Sequence, residues 1–143
     1  MRAATAASPT EPDVPVTETD ITEADIAHLV HTFYAKARRD PLLGPVFEAK
    51  IGRTDAEWDA HFARLRDFWS SLMLRSGRYR GDPFSVHLAI PDIAPPMFER
   101  WLLLFGETAD ALFTSDLSEA FKTRAARIAR SLRMGLFERE LRR

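Results

Sequence analysis

Cysteine is absent from the 143 residues of this sequence. Disulfide bonds, thiolate zinc sites and iron–sulfur clusters are therefore excluded, because each of them needs cysteine sulfur. A bound metal would have to rest on histidine or carboxylate side chains, and the sequence holds only four histidines. His28 and His31 are close enough in sequence to share a metal on one helical turn, but no third ligand is evident beside them.

An excess of charge of one sign is also lacking. The formal net charge is −1, so the basic surface that nucleic-acid-binding proteins need is absent and we expect no nucleic-acid partner. No run of apolar residues reaches the length that spans a membrane, so we expect no membrane association. Phosphate-binding loops, dinucleotide fingerprints, nucleophile elbows and His-Glu-x-x-His zinc motifs are missing as well.

The first twenty residues differ in character from the rest of the chain. They are rich in Ala, Thr and Pro and contain no central apolar segment of the kind that secretory signals carry. We therefore predict a disordered tail over residues 1–20, a single domain over residues 21–143 and a cytoplasmic location.

Aromatic residues, in contrast, are abundant. The chain has ten phenylalanines and three tryptophans. Large rings either fill a hydrophobic core or line the pocket of a flat apolar cofactor, and composition alone leaves both possibilities open.

Apolar residues recur at helical spacing through most of the chain, and the period-2 alternation of half-buried strands is absent. Capping boxes at Thr22–Asp25 and Thr54–Glu57 predict the starts of two long helices, which end at Asp40-Pro41 and Ser76-Gly77. We further predict a packed connector over residues 42–52. Three more helices are predicted over residues 83–90, 95–112 and about 116–140. The fold class is therefore all-α.

Four side chains could carry chemistry, although each also has a purely structural explanation. His61 interrupts an apolar helical stripe, where it is either a satisfied core histidine or a polar group facing a pocket. His87 lies on the short segment closed by Pro91, and it is either an exposed loop histidine or an imidazole presented at a fixed angle. Tyr34 and Trp101 lie on inner helix faces, where their O–H and N–H groups need acceptors in either case.

The order of short motifs along the chain is more specific than any one of them. Phe-Tyr is followed by Leu-Gly-Pro-Val-Phe, Glu-Trp-x-x-His, Phe-Trp, Tyr-x-Gly-x-Pro-x-x-x-His-Leu and Phe-x-x-Trp-Leu-x-Leu-Phe. This order and spacing, from about Ile26 to about Leu136, closely resembles the group III truncated haemoglobins of bacteria. The Gly-Gly pairs usual at helix junctions in groups I and II are absent here, which fits group III.

This resemblance implies a truncated globin fold, in which a two-over-two helical sandwich surrounds noncovalent haem b. His87 matches the proximal ligand of the iron. His61 matches the distal histidine that can gate the pocket, while Tyr34 and Trp101 match the distal groups whose O–H and N–H face the bound gas.

The resemblance also implies a set of pocket positions. Phe47 matches the ring that wedges against the haem, and Arg64 matches a basic position that can pair with a haem propionate. Tyr79 and Arg80 are weaker propionate candidates. The remaining implied pocket residues are Phe33, Leu65, Phe68, Trp69, Leu88 and Phe98.

The small ligands implied are O₂, NO, CO and peroxide. A hydrogen bond to a charged acceptor contributes about 1.5–3 kcal/mol, which is roughly ten- to a hundredfold in off-rate. We therefore expect slow O₂ release, which favours nitric oxide dioxygenase or peroxidase-like chemistry over transport and requires an unidentified electron donor. We expect a monomer. The alternatives are a haem-based sensor or carrier, and a helical interaction module with no cofactor.

Overall fold

A computed structural model of the chain describes residues 21–90 and 93–138. The predicted tail over residues 1–20 and the last predicted residues of the final helix lie outside this part. The described elements are α1 (Glu23–Arg39), α2 (Gly44–Ile51), α3 (Asp55–Leu74), α4 (Pro83–Leu88), α5 (Pro95–Leu112), α6 (Ser115–Arg133) and a π-helical turn (Met134–Glu138). No strand occurs among the described residues, so the all-α prediction is confirmed.

Both predicted capping boxes are present. Thr22 accepts a hydrogen bond from the Asp25 amide at 3.1 Å, and the Asp25 carboxylate accepts one from the Thr22 amide at 3.0 Å. Thr54 and Glu57 form the same reciprocal pair at the start of α3. These bonds satisfy amides that would otherwise lack partners at a helix N-terminus, which is why both starts were predictable from local sequence.

The predicted connector over residues 42–52 is wrong in its middle part, because most of it is helix α2. Pro45 lies in the first turn of this helix, where a missing amide hydrogen costs nothing. The prediction that the segment is packed holds for Leu43, which is buried, whereas Leu42 remains 40% exposed.

The turn between α1 and α2 is organised by one carboxylate. Asp40 is buried, and its Oδ2 accepts hydrogen bonds from the amides of Leu42 and Leu43 at 3.1 and 3.0 Å. Its Oδ1 accepts a hydrogen bond from Arg100 Nε on α5 at 2.7 Å and forms an ion pair with Arg100 Nη2 at 2.7 Å. Gly44 passes so close to α1 that a side chain there would overlap the Arg38 carbonyl oxygen.

The C-terminal end of α6 also departs from the prediction. The α-helix ends at Arg133 instead of continuing to about residue 140, and the chain widens into the π-helical turn. Turns of this kind satisfy i→i+5 hydrogen bonds and change which residues share a face of the helix.

The helices pack as two pairs. α1 packs against α3, α5 packs against α6, and the α1–α5 contact joins the pairs into the expected two-over-two arrangement. Phe33, Trp69, Phe105 and Phe121 are buried where these helices meet. A smaller cluster contains Phe98, Ala129, Leu132 and Leu136. None of the described helices is both long and apolar enough to cross a membrane.

The Asp40 site gives a first test. Asp40→Asn replaces the carboxylate with an amide whose NH₂ group faces donors, so we expect the free energy of unfolding to fall by about 1–3 kcal/mol in urea denaturation at neutral pH. Arg100 holds the pKa of the Asp40 carboxyl below its usual range, so the wild-type protein also loses this stabilisation as the pH falls through the folded-state pKa.

Asp59→Asn is the matched control, because Asp59 is an exposed carboxylate on α3. It should change the unfolding free energy by less than about 0.5 kcal/mol. Equal urea midpoints for the two variants would contradict the role assigned to Asp40.

Candidate functional site

A cavity of about 700 Å³ lies among the helices and is lined mainly by apolar and aromatic side chains. This volume is within the range typical of cofactor and ligand pockets. All but two of the residues predicted to form a haem pocket line it: Tyr34, Phe47, His61, Arg64, Leu65, Phe68, Trp69, Tyr79, Arg80, His87, Phe98 and Trp101. Residues far apart in sequence are thus brought to one cavity.

Phe33 and Leu88 are the two that are not on the cavity wall. Phe33 is completely buried behind the wall, where its ring packs edge-on against Tyr34 at 4.6 Å and Trp101 at 5.4 Å. Leu88 is 60% exposed. Consecutive residues of a helix are about 100° apart around its axis, so His87 and its neighbour Leu88 face different directions.

His87 is presented by the short helix α4. Asp82 caps this helix by accepting hydrogen bonds from the Ser85 hydroxyl at 2.7 Å and the Ser85 amide at 3.4 Å. The Nδ1 atom of His87 lies 2.7 Å from the Pro83 carbonyl oxygen. A carbonyl can only accept, so Nδ1 carries a hydrogen, and in the neutral ring the lone pair that can bind a ligand is on Nε2.

Tyr34 and Trp101 meet on the cavity wall. The Trp101 indole N–H donates to the Tyr34 hydroxyl oxygen over 3.4 Å. Burial raises the pKa of Tyr34 to about 12, so the hydroxyl keeps its proton at neutral pH. Among the described residues, no acceptor takes the hydroxyl hydrogen of Tyr34, which leaves it able to donate to a molecule in the cavity.

His61 lies beside this pair. Its ring is 6.0 Å from that of Tyr34 and 5.5 Å from that of Trp58, nearly perpendicular to both. Burial, together with the smaller effect of the positive charge of Arg64, lowers the pKa of His61 to about 4. His61 is therefore a neutral imidazole at physiological pH.

Trp58 supports these residues from outside the cavity wall. It is 1% exposed, and its indole N–H donates to the Gly52 carbonyl at 2.9 Å. The Arg38 guanidinium covers the ring at 4.4 Å from its centroid, which adds a cation–π contact. Trp58 is thus held by a hydrogen bond and a cation–π contact, and it packs against Tyr34 from behind the cavity wall.

The cavity wall also includes charged residues. Lys50, Asp67 and Arg78 line it together with the predicted Arg64 and Arg80. No local motif marks these three residues, so they could not be predicted from the sequence.

Arg78 ties the segment after α3 to the rest of the protein. It forms ion pairs with Glu23 at 2.9 Å and Asp67 at 3.1 Å and also donates to the buried Ser70 hydroxyl at 3.0 Å. Tyr79 is the next residue in the chain, and its hydroxyl end lies so close to Gly81 that a side chain at Gly81 would overlap it. This contact gives a physical reason for the Tyr-x-Gly spacing.

Other wall residues were assigned to the general core or to the connector. α2 contributes Val46 and Ile51, and α6 contributes Ile128, Ala129 and Leu132. Ile128 and Leu132 belong to the inner stripe of the last predicted helix, so their inward orientation was visible in the sequence. That they face a cavity was not, because a helical stripe looks the same against a cavity or a partner helix.

His28 and His31 on α1 have no third metal-ligating side chain beside them in the part of the chain that the structure describes. Among the described residues, no group of three or more metal-ligating side chains occurs. His31 instead packs on Phe62 at 4.3 Å and lies 2.9 Å from the Arg66 guanidinium.

No family model matches the chain. The chain is, however, 38% identical over 109 residues to a group 3 truncated haemoglobin of Campylobacter jejuni, an alignment covering 76% of this chain and 86% of that protein. The crystal structure of a group III truncated haemoglobin from Campylobacter jejuni matches it with a TM-score of 0.79 at 36% identity, over 82% of this chain and 92% of that one. The chain belongs to the group 3 truncated haemoglobins. The predicted family and fold are therefore both confirmed.

The cavity of this truncated haemoglobin fits the haem that its family implies. The wall is mainly apolar and aromatic, as a porphyrin face requires, and cationic side chains suit its carboxylates. The Nε2 lone pair of His87 is the type of donor that haem iron takes from protein, and the Pro83 carbonyl is the outer partner that orients such a ring.

The buried, neutral His61 makes the stability of this protein sensitive to acid. The folded state keeps His61 neutral down to about pH 4, whereas an unperturbed histidine protonates near 6.5. The unfolded chain therefore binds more protons between these values, and stability falls as the pH falls through that window. We expect His61→Gln to reduce the shift in urea midpoint between neutral pH and pH 5.

His28→Gln is the control, because His28 is exposed on α1. It should retain the wild-type change in midpoint. The explanation fails if His61→Gln is as acid-sensitive as the wild-type protein.

Proposed function

We propose that this chain binds haem b noncovalently, with His87 Nε2 as the protein ligand to the iron. The observation that carries the proposal is the state of the imidazole. Nδ1 is engaged by the Pro83 carbonyl, which in the neutral ring leaves the lone pair on Nε2, and His87 lines the cavity. The absence of cysteine from the sequence supports noncovalent attachment.

The second part of the proposal concerns a diatomic gas such as O₂. Haem iron with one protein ligand offers an open coordination position to such a molecule. Tyr34 would donate a hydrogen bond to the gas, because Trp101 already occupies the hydroxyl oxygen and leaves the hydroxyl hydrogen pointing to no described acceptor. Trp101 and the neutral His61 would complete a polar but uncharged distal wall.

Slow release of O₂ would favour its reaction over its delivery. Combination of O₂ with nitric oxide and one electron yields nitrate, so such an activity requires an electron donor. Activation of peroxide is a second reaction that polar distal groups would assist. The same Tyr34 and Trp101 contact supports both reactions.

Haem uptake tests the first part directly. The wild-type protein should bind added haemin and show a histidine-ligated spectrum, whereas His87→Gly should bind it much more weakly and recover when imidazole is added. His28→Gly, a histidine loss on the exposed face of α1, should bind haemin normally.

Two results would overturn this part. A colourless wild-type protein that takes up no haemin would favour a helical module with no cofactor. Normal haem affinity and a normal iron–imidazole signature in His87→Gly without imidazole would exclude His87 as the ligand.

The rate of O₂ release tests the distal mechanism. Tyr34→Phe removes the donor and keeps the ring, so the O₂ dissociation rate should rise roughly ten- to a hundredfold in stopped-flow measurements. Tyr79→Phe, which deletes a hydroxyl elsewhere on the cavity wall, should leave the rate near that of the wild-type protein. An unchanged rate in Tyr34→Phe would refute the mechanism.

A further inference from the structure

The helix that carries His87, α4, is short and packs against a π-helical turn. α4 has six residues, and loop segments precede and follow it. Among the described elements, the π-helical turn Met134–Glu138 makes the most extensive contact with α4. The position of His87 therefore depends on how the C-terminal end of α6 is built.

The π-helical geometry determines which side chains that end presents. In an α-helix, a residue five positions after Leu132 is rotated by about 140° from it and faces another direction. In a π-helical turn, i→i+5 bonding brings the fourth and fifth residues to either side of the starting position. The turn begins directly after α6 ends at Arg133, and its Leu136 and Phe137 both reach the small cluster that contains Leu132 and Phe98.

A line of rings connects this turn to the imidazole. The Phe137 ring lies 5.9 Å from that of Phe98 in an edge-to-face arrangement. The Phe98 ring in turn lies 6.3 Å from the His87 imidazole, tilted by 35°. Phe98 is 7% exposed, so its ring has little room to turn unless Phe137 is removed.

The Pro83 hydrogen bond alone does not fix the imidazole. One bond at Nδ1 still allows the ring to swing about the Nδ1–carbonyl direction, and a packed neighbour is needed to limit that motion. The Phe98 ring lies within aromatic contact distance of His87, and the Phe137 ring packs edge-on against Phe98.

We propose that Phe137 is a positioning residue for His87, acting through Phe98 and α4 to set the orientation of the imidazole. This inference rests on the proposed function of His87. It assigns to the π-helical turn the task of holding the iron ligand at a defined angle, while Phe137 itself does not line the cavity.

The test compares three variants reconstituted with haem. Phe137→Ala should shift or broaden the iron–histidine stretching band of the ferrous protein in resonance Raman spectra. It should also speed haem transfer to excess apomyoglobin by about five- to tenfold. Phe137→Leu keeps most of the volume but loses the flat ring, so it should change both readouts less and in the same direction. If Phe137→Ala does not fold, the two readouts of Phe137→Leu test the inference in its place.

Phe113→Ala is the matched control. Phe113 is also a half-buried phenylalanine, but it stacks on Phe121 at 5.3 Å and does not line the cavity. It should lower thermal stability while leaving the iron–histidine band in place. A band that moves equally in Phe113→Ala would show general loosening of the protein and overturn the inference.

The outcomes separate this inference from the one on which it rests. A wild-type protein without an iron–histidine band would overturn the proposed function of His87. A wild-type protein with that band, combined with an unchanged band in every folded Phe137 variant, would overturn only the positioning role of Phe137.

Discussion

The buried carboxylate of Asp40 is the constraint on which the Tyr34 and Trp101 side of the cavity depends. Its three hydrogen bonds and its ion pair with Arg100 end α1, turn the chain into α2 and attach both to α5. Trp101 follows Arg100 directly, so the same anchor that fixes α5 along α1 sets the distance between Trp101 and Tyr34. An ion pair whose carboxylate is buried and whose guanidinium is partly exposed contributes little net stability, but its geometry is specific. In this protein that specificity aligns two helices that supply facing parts of one site.

The two histidines of the cavity are held by different parts of the core. His61 lies on the long helix α3, close to the aromatic packing that includes Tyr34 and Trp58. His87 lies on the six-residue helix α4 and packs near the smaller cluster around Phe98. Helices of this length have little stability of their own and depend on tertiary contacts. The side of the cavity that carries His87 is therefore the one whose geometry depends most on distant packing.

Local sequence signals predicted what local interactions determine. The capping boxes at Thr22 and Thr54 involve residues three apart, and both helix starts were correct. α2 was missed because eight residues with a proline and a glycine resemble a loop, and its position also depends on the distant Arg100–Asp40 ion pair and on the close approach of Gly44 to α1. The π-helical turn and the Arg78–Glu23 ion pair were missed for the same reason. The cavity residues were predicted from the order of motifs, and periodicity alone could not separate cavity-facing Trp101 from core-facing Phe33.

Burial shifts the pKa values of Tyr34 and His61 in opposite directions, and both side chains are uncharged at neutral pH as a result. Burial disfavours the charged form of any group, so it raises the pKa of Tyr34 to about 12 and lowers that of His61 to about 4. Both side chains stay neutral across the intervening pH range, yet each keeps a hydrogen that it can donate. Formal charge is carried elsewhere on the wall, by Lys50, Asp67 and the arginines. A neutral donor stabilises partial negative charge on a small molecule without attracting free anions, which separates recognition of a polarised gas from recognition of ions.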